Sequence, residues 1–387
     1  MSIESVLGDL LRHPPGLQLL IARLQRLDPF QITGLLGDWG WELSQLEEGD
    51  FCGSATVLRL RSLLVGKIEF NRAVLQRIRC LPHCGTLIVA SCSSGAIFVA
   101  GQLLRHSDCV VLDAGAETEL LCRGAGTVIA LSLCAPAAAF FFSSAVWGQP
   151  LALPGRACLM RASADTFNSV RDCINYALAQ SETSPHHNPL ATASFARRLL
   201  LCLNAAMLTV VPIDDDAPRT TRRRAAVERA RIYIREHLSE PIRLIDLCHH
   251  AYIQQRSLEY GFRDIVGLSP MTYLKVLRLG EVHRRLLTEP LAVSSISSVA
   301  LDSGFHHLGQ FAGDYKRLFM ESPSATRMRA RLQHGNDEAA NGQAHTNAPA
   351  TRSRPAPALD VVGKRSRDPV APGGTTHRDS CAPPERN

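Results

Sequence analysis

The spacing of apolar residues changes along the chain and divides it into stretches of different character. At the amino end, Val6–Leu11 and Leu17–Leu27 carry apolar residues at helical spacing, and prolines at positions 14, 15 and 29 interrupt the pattern. We therefore predict two short helices in the first 45 residues.

Residues 50–133 follow a second pattern, in which short runs of valine, isoleucine and leucine alternate with glycine, aspartate and serine. Closely spaced runs of this kind are typical of an antiparallel sandwich or barrel. The predicted strands are Thr56–Leu60, Thr86–Ala90, Ala96–Ala100, Cys109–Leu112, Thr118–Cys122 and Thr127–Leu133.

An uncharged stretch from residue 124 to residue 155 is long enough to cross a bilayer. Pro136 interrupts it and the turn-like segment GQPLALPG ends it. We interpret the stretch as a buried strand, a turn and a short helix, and keep a membrane span as the less favoured alternative.

Helical spacing returns over residues 163–210, in one apolar stripe from Phe167 to Leu178 and another from Leu199 to Met207. Two amphipathic helices after a β region would close its core or pair with a second subunit. Residues 213–224, acidic and then basic, predict an exposed linker. After Leu332 the apolar content falls, which predicts a disordered tail over residues 333–387.

Near the carboxyl end, Pro241–Pro270 and Pro290–Pro323 repeat one pattern. Each has a small apolar residue, then a large apolar residue, an aromatic residue four positions later, and a Ser-Pro pair. These are Cys248, Leu258, Phe262 and Ser269-Pro270 in the first segment, and Ala300, Phe311, Tyr315 and Ser322-Pro323 in the second. Residues four apart share one face of a helix. The repeat predicts two helix–turn–helix units joined by a helix over Met271–Leu287.

The distribution of charge agrees with such units. Residues 219–332 contain 19 lysines and arginines against 11 aspartates and glutamates, although the formal net charge of the whole chain is only +6. An excess of this kind is expected where a protein meets phosphate, and a merely soluble basic surface is the alternative.

The repeat resembles the AraC/XylS family of transcriptional regulators. The stretches SLEYGFRDIVGLSPMTYLKVLRL (Ser257–Leu279) and VALDSGFHHLGQFAGDYKRLFMESP (Val299–Pro323) carry the resemblance. It implies an α+β chain with a β-barrel or cupin-like sensor and dimerisation domain with flanking helices over residues 1–212. An all-α domain of seven helices would follow over residues 225–332 and place two recognition helices in adjacent major grooves.

By position, the resemblance implies DNA contacts for one set of residues on the first recognition helix. These are Gln254, Gln255, Arg256, Glu259, Tyr260 and Arg263. Arginine pairs with guanine and glutamine with adenine in the major groove, so this helix is expected to read bases. A departure from the family pattern is Tyr252, which stands where the first turn often has glycine.

The second recognition helix, predicted over His306–Met320, has a different composition. Its corresponding positions have no polar side-chain group: Leu308, Gly309, Ala312 and Gly313. Its other candidate contacts are His306, His307, Gln310 and Lys316, which we expect to hold mainly phosphates.

These features predict a sequence-specific transcriptional regulator in the cytoplasm. Its expected partners are double-stranded DNA, a small-molecule effector bound by the amino-terminal domain, a second copy of the chain and RNA polymerase. No cofactor, metal or membrane is expected.

Two alternatives stay open. One is a cysteine-dependent, enzyme-like protein, since Cys92 follows an apolar run in LIVASCSSGAIFVAG. The other is an architectural DNA-binding protein. Zinc at Cys80, His83 and Cys84 is disfavoured, because a structural site usually needs four ligands. The 12 cysteines show no disulfide framework, so reduced thiols are expected.

Overall fold

The computed structural model describes residues 20–37, 40–60, 63–134, 157–183, 197–199, 201–202, 211–213, 218–289, 291 and 294–332. The predicted helix over Val6–Leu11, the short helix after Pro136 and the tail over residues 333–387 lie outside these residues. Among the described residues, an amino-terminal β region and a carboxyl-terminal helical region belong to one compact unit.

The strands of the β region form two antiparallel sheets. They are β1 (Leu20–Leu27), β2 (Trp41–Gln45), β3 (Gly53–Leu60), β4 (Leu63–Phe70), β5 (Val74–Arg79), β6 (Cys84–Cys92), β7 (Ile97–Val99), β8 (Gln102–Leu104), β9 (Asp108–Leu112), β10 (Glu117–Cys122), β11 (Gly126–Cys134), β12 (Ala157–Arg161) and β13 (Val211–Pro212). The first sheet has the order β1-β3-β4-β11-β6-β9-β12-β13 and the second β2-β5-β10-β7-β8. All six predicted strands overlap observed ones.

A shared apolar core lies between the two sheets. Ile68, Ile88 and Val110 enter it from the first sheet, and Ile78 and Leu120 enter it from the second. Over the described residues the sheets do not close on each other, so the predicted barrel is wrong and the β region is built from two open sheets. Strand patterning alone does not distinguish the two, because both alternate inward and outward residues.

The prediction of a helix over Leu17–Leu27 is also wrong, because Leu20–Leu27 is strand β1. It pairs with β3 in antiparallel register, with Ala22 opposite Val57. Partner strand hydrogen bonds thus override a helical spacing of leucines. The helix of this region, α1 (Pro29–Leu36), begins where the sequence suggested an interruption.

Helix α1 begins at a proline because Asp28 caps it. The Asp28 carboxylate accepts from the Gln31 amide at 2.8 Å, and the Gln31 side chain accepts from the Asp28 amide at 3.0 Å. Proline at the first helical position loses no helical hydrogen bond, so this capping box and Pro29 are compatible.

Cys84 and Cys134 form a disulfide, contrary to the expectation of reduced thiols. They are partners in the register of β6 and β11, with their Cα atoms 4.1 Å apart. Strand pairing brings together two residues that are 50 positions apart in sequence. In the part of the chain that the structure describes, no group of three or more His, Cys, Asp or Glu residues is arranged to hold a metal. None of the helices described there is long and apolar enough to cross a membrane.

The helices are α2 (Ala164–Thr183), α3 (Pro218–Glu236), α4 (Leu244–Ala251), α5 (Gln255–Ile265), α6 (Pro270–Thr288), α7 (Ile296–Asp302), α8 (Leu308–Phe319) and α9 (residues 323–332). Residues 197–199 and 201–202 are also helical. Seven helices, α3–α9, lie in the described part of residues 218–332, the number that the resemblance implied. Because α3 begins at Pro218, residues 218–224 of the predicted linker are helical.

Candidate DNA-binding surface

Helices α4 and α5 form the first helix–turn–helix unit around buried apolar residues. Leu247 and Ala251 of α4 are fully buried, as are Leu258 and Phe262 of α5. The Phe262 ring meets the edge of Tyr273 on α6, with centroids 5.8 Å apart. Packing therefore fixes one face of α5 and leaves the opposite face outward.

The turn between these helices is built without glycine. Tyr252 adopts the left-handed conformation, with φ of 53°, and its amide donates to the carbonyl groups of Cys248 and His249. The ring is 78% exposed and lies 5.7 Å from the Arg229 guanidinium. Arg229 also donates to the Ala251 carbonyl at 2.8 Å. A left-handed cap satisfies the last carbonyls of a helix, and here a tyrosine supported by an arginine provides it.

The outward face of α5 carries the residues predicted to contact DNA. Five side chains are exposed and one, Glu259, is half-buried: Gln254, Gln255, Arg256, Glu259, Tyr260 and Arg263. Gln255 Nε2 donates to Glu259 Oε1 at 3.0 Å, and the Arg256 guanidinium lies 5.7 Å from the Tyr260 ring centre. This face presents amide and guanidinium donors together, which are the groups that recognise adenine and guanine edges.

Helices α7 and α8 form the second unit. The Ser295 hydroxyl accepts from the Ser298 amide at 3.0 Å and caps α7, while Val299 and Ala300 are buried. Gly304 has φ of 82° in the turn, a conformation that glycine adopts without strain. Phe305 follows it and packs on Phe311 of α8, with centroids 5.0 Å apart.

Helix α8 begins two residues later than predicted, at Leu308, and ends before Met320. His306 precedes the helix and His307 is its N-cap residue, without a side-chain capping hydrogen bond. The predicted phosphate-contacting residues, His306, His307, Gln310 and Lys316, are all exposed. The positions without polar side-chain groups, Leu308, Gly309, Ala312 and Gly313, are exposed as well. The outward faces of α5 and α8 therefore differ in chemistry.

A series of buried hydrogen bonds connects the inner face of α8 to α6 and α9. His283 of α6 lies 2.7 Å from the Tyr315 hydroxyl, which donates to the Thr326 hydroxyl at 2.9 Å. Thr326 in turn donates to the Glu321 carboxylate at 2.7 Å. Burial lowers the pKa of His283 to about 4. The ring also stacks on Phe319, with centroids 4.1 Å apart.

Sequence reasoning missed His283 and Thr326. Their buried partners come from other helices, and an isolated histidine or threonine in a helical stretch gives no signal of such a contact. Their role follows from the packing of α6, α8 and α9 alone.

The thiol of Cys92, the cysteine that raised the possibility of an enzyme, contacts backbone carbonyl groups. Cys92 ends an antiparallel strand, β6, and its thiol donates to the carbonyl groups of Ser94 and Ala125, each at 3.2 Å. Burial raises the pKa of the Cys92 thiol. An activated nucleophile needs the opposite shift and a neighbouring base.

Comparisons with known proteins match the helical region. A profile described as a helix-turn-helix domain matches residues 247–329. A Rhodococcus erythropolis protein described as a probable thc operon regulatory protein is 34% identical over 92 residues, which cover 24% of this chain and 28% of that protein. A Pseudomonas putida protein described as XylDLEGF operon transcriptional activator 2 is 40% identical over 100 residues, which cover 26% of this chain and 63% of that protein.

A solved structure of a probable AraC family transcriptional regulator from Rhodopseudomonas palustris is 34% identical. The match covers 27% of this chain and 96% of that chain, with a TM-score of 0.26. The chain thus spans less than two thirds of the length of either curated relative, and the similarity to them is confined to about a quarter of its own length.

Proposed function

Because the carboxyl-terminal region of this chain is an AraC/XylS-type double helix–turn–helix domain, which binds double-stranded DNA, we propose that the protein is a sequence-specific transcriptional regulator. In this proposal α5 reads base edges and α8 mainly holds the DNA backbone. The proposal depends on one contrast: the outward face of α5 carries amide and guanidinium groups, whereas Leu308, Gly309, Ala312 and Gly313 of α8 have no polar side-chain group.

Each proposed contact has a chemical reason. Arg256 would donate to guanine O6 and N7, and Gln255 would pair with the N6 and N7 edge of adenine. The hydrogen bond from Gln255 to Glu259 restrains the glutamine before DNA arrives, which lowers the entropy lost on binding. The exposed cation of Lys316 and the imidazoles of His306 and His307 suit phosphate oxygens.

The amino-terminal region, residues 1–212, is proposed to sense a small molecule and to dimerise. Two cavities of about 380 Å³ each support the sensing role, because both lie where the β region meets the helical region. Ligand pockets are commonly about 300–1,000 Å³ in volume and often lie between domains. Activation of transcription is proposed by analogy with the Pseudomonas putida activator, and RNA polymerase is the partner that this role would require. Sedimentation of the full chain tests the dimer.

Selection of duplexes from a random library by the full-length chain tests the base-reading role. Replacing Arg256 by alanine is expected to reduce the preference at one base position by about 10- to 100-fold, the value of a bidentate arginine–guanine pair. Gln255→Ala should relax a neighbouring position. Arg171→Ala, which removes the same charge from α2, is the matched control. Unchanged selected sequences in Arg256→Ala and Gln255→Ala would remove α5 from base reading.

The same experiment separates a regulator from an architectural protein. A regulator binds its selected duplex at least about 1,000-fold more tightly than a scrambled duplex of equal length at physiological salt. Equal affinities for both duplexes would favour the architectural alternative.

A further inference from the structure

The carboxyl ends of both recognition helices receive hydrogen bonds from the five-stranded sheet. At the end of α5, Arg123 Nη1 donates to the Asp264 carbonyl at 2.7 Å. At the end of α8, Gln45 Nε2 donates to the Leu318 carbonyl at 2.9 Å. The last four carbonyl groups of an α-helix have no partner within the helix. The sheet therefore satisfies groups that each recognition helix leaves open.

The register of the sheet relates these two donors to each other. Strand β5 lies between β2 and β10, and Val74 of β5 is opposite both Gln45 and Cys122. Gln45 and Cys122 therefore lie at the same level of the sheet, and Arg123 follows Cys122 directly. Because neighbouring strands are about 4.8 Å apart, the two donors start from backbone positions about 10 Å apart. One end of the five-stranded sheet therefore reaches the carboxyl ends of both α5 and α8.

Each donor is held in its orientation. Gln45 is only 4% exposed, and its amide nitrogen, which shares two hydrogens among its acceptors, also lies 2.7 Å from the carbonyl oxygen of Glu47 and 2.8 Å from that of Gly49. The Arg123 guanidinium lies 6.0 Å from the Phe98 ring centre and against the backbone of Gly267. A Cβ atom at position 267 would approach Arg123 Nε to 3.0 Å. The bare glycine therefore gives the arginine its close approach.

A cavity of about 380 Å³ separates the two contacts. Its lining includes Leu46 and Arg123 from the β region and Val266, Leu279 and Leu318 from the helices. Leu46, Leu75 and Leu121 also pack in the apolar core of the helical region, so the two hydrogen bonds add direction to a contact that apolar packing already makes. The sheet therefore contacts α5 through Arg123 and α8 through Gln45.

We infer that Gln45 and Arg123 are positioning residues, which fix the separation of the two recognition helices and so the spacing of the base segments that the full chain accepts. Helix α6 joins the two units within the helical region, and the sheet adds a second link at their carboxyl ends. With both connections in place, the two helix–turn–helix units are less free to rotate relative to each other than with α6 alone. The outward face of α5 stays exposed, so the sheet holds this helix without covering its reading surface. This inference rests on the proposed function.

The test uses full-length protein and duplexes that carry the selected sequence with zero, one or two base pairs inserted between its two segments. One inserted pair moves the second segment by about 3.4 Å along the axis. For the unchanged chain we expect a steep loss of affinity with each insertion. Arg123→Ala and Gln45→Ala should each reduce that spacing penalty by about three- to tenfold, since a hydrogen bond contributes up to about this factor.

Arg79→Ala is the matched control, because Arg79 lies on β5 of the same sheet and pairs with Glu117. Arg123→Lys keeps the aliphatic stem and a charged donor, so its spacing penalty should be close to that of the unchanged chain. If Arg123→Ala fails to fold, Arg123→Lys replaces it in the comparison, and the expected reduction of the spacing penalty is then smaller than about threefold. Equal losses of affinity at every spacing would show that Gln45 and Arg123 only stabilise the fold, and would overturn the inference. Failure of the unchanged chain to prefer any duplex would instead refute the proposed function.

Discussion

Acidification is expected to destabilise the helical region through one buried imidazole, His283. The donors below α8 run in one direction, from His283 Nδ1 through Tyr315 and Thr326 to the Glu321 carboxylate. Neutral His283 therefore carries its hydrogen on Nδ1, an assignment that follows from the network. Its Nε2 atom is buried and has no hydrogen-bond partner among the residues that the structure describes. A second proton would create a buried charge and an N–H group without an acceptor.

The magnitude follows from the pKa of this group. The unfolded chain binds the proton at about 6.5, whereas the folded chain binds it at about 4. Between these values the unfolded state holds more protons, so the free energy of unfolding falls as the pH falls. At about 1.4 kcal/mol for each pKa unit, the loss from pH 7.5 to pH 4 is roughly 3 kcal/mol. The charges of Asp28 and Glu321 raise the pKa of His283 and that of Arg329 lowers it, but burial has the largest effect.

Urea unfolding of the full chain, followed by circular dichroism at several pH values between 7.5 and 4, measures this loss. The variant His283→Gln should be less stable at pH 7.5, because it disturbs the buried hydrogen bonds, but its stability should depend less on pH. The difference between the two pH slopes isolates His283. His306→Gln, at an exposed position before α8, is the control and should keep the original slope. An unchanged slope in His283→Gln would refute the reasoning.

Three further changes test other parts of the structure. Lys316→Ala should lower the slope of log affinity against log salt by about 1 and leave the selected sequence unchanged; an altered sequence would mean that Lys316 reads bases. Gly304→Ala should destabilise the chain by about 1–2 kcal/mol, seen as a lower melting temperature, because φ is 82° and the new Cβ would lie 2.7 Å from Arg278 Cζ. Glu119→Gln should cost about 1.5–3 kcal/mol in urea unfolding, because the fully buried Arg231 loses its carboxylate partner from the β region and keeps the one from Glu228; a loss below about 1 kcal/mol would show that water replaces the lost partner.

The repeat made the helical region predictable. Apolar residues four apart faced inward in both units, as Leu258 and Phe262 show for the first and Phe311 and Tyr315 for the second. These features depend on neighbours within one or two helical turns. The resemblance to the AraC/XylS family indicated the candidate contacts on α5 and α8, and all of them except the half-buried Glu259 are exposed. Their contacts with DNA remain a prediction.

The β region was predicted only in part. Strands β2, β4, β5, β8, β12 and β13 were missed, and β1 was mistaken for a helix, because a strand is completed by partners that are distant in sequence. The pairing of Cys84 with Cys134 likewise required the register of β6 and β11. A pattern of alternating residues indicates strands without saying which strands are neighbours.

By its own order of residues, the chain determined the duplicated helix–turn–helix pattern, its turns and the contrast between its two outward faces, because helical periodicity is a local property. Tertiary structure alone decided that the five-stranded sheet meets the ends of both recognition helices and that a carboxylate of β10 pairs with a buried arginine of α3. Those contacts join residues more than 100 positions apart. Such pairs form only when the strands have found their register and the helices have packed on them.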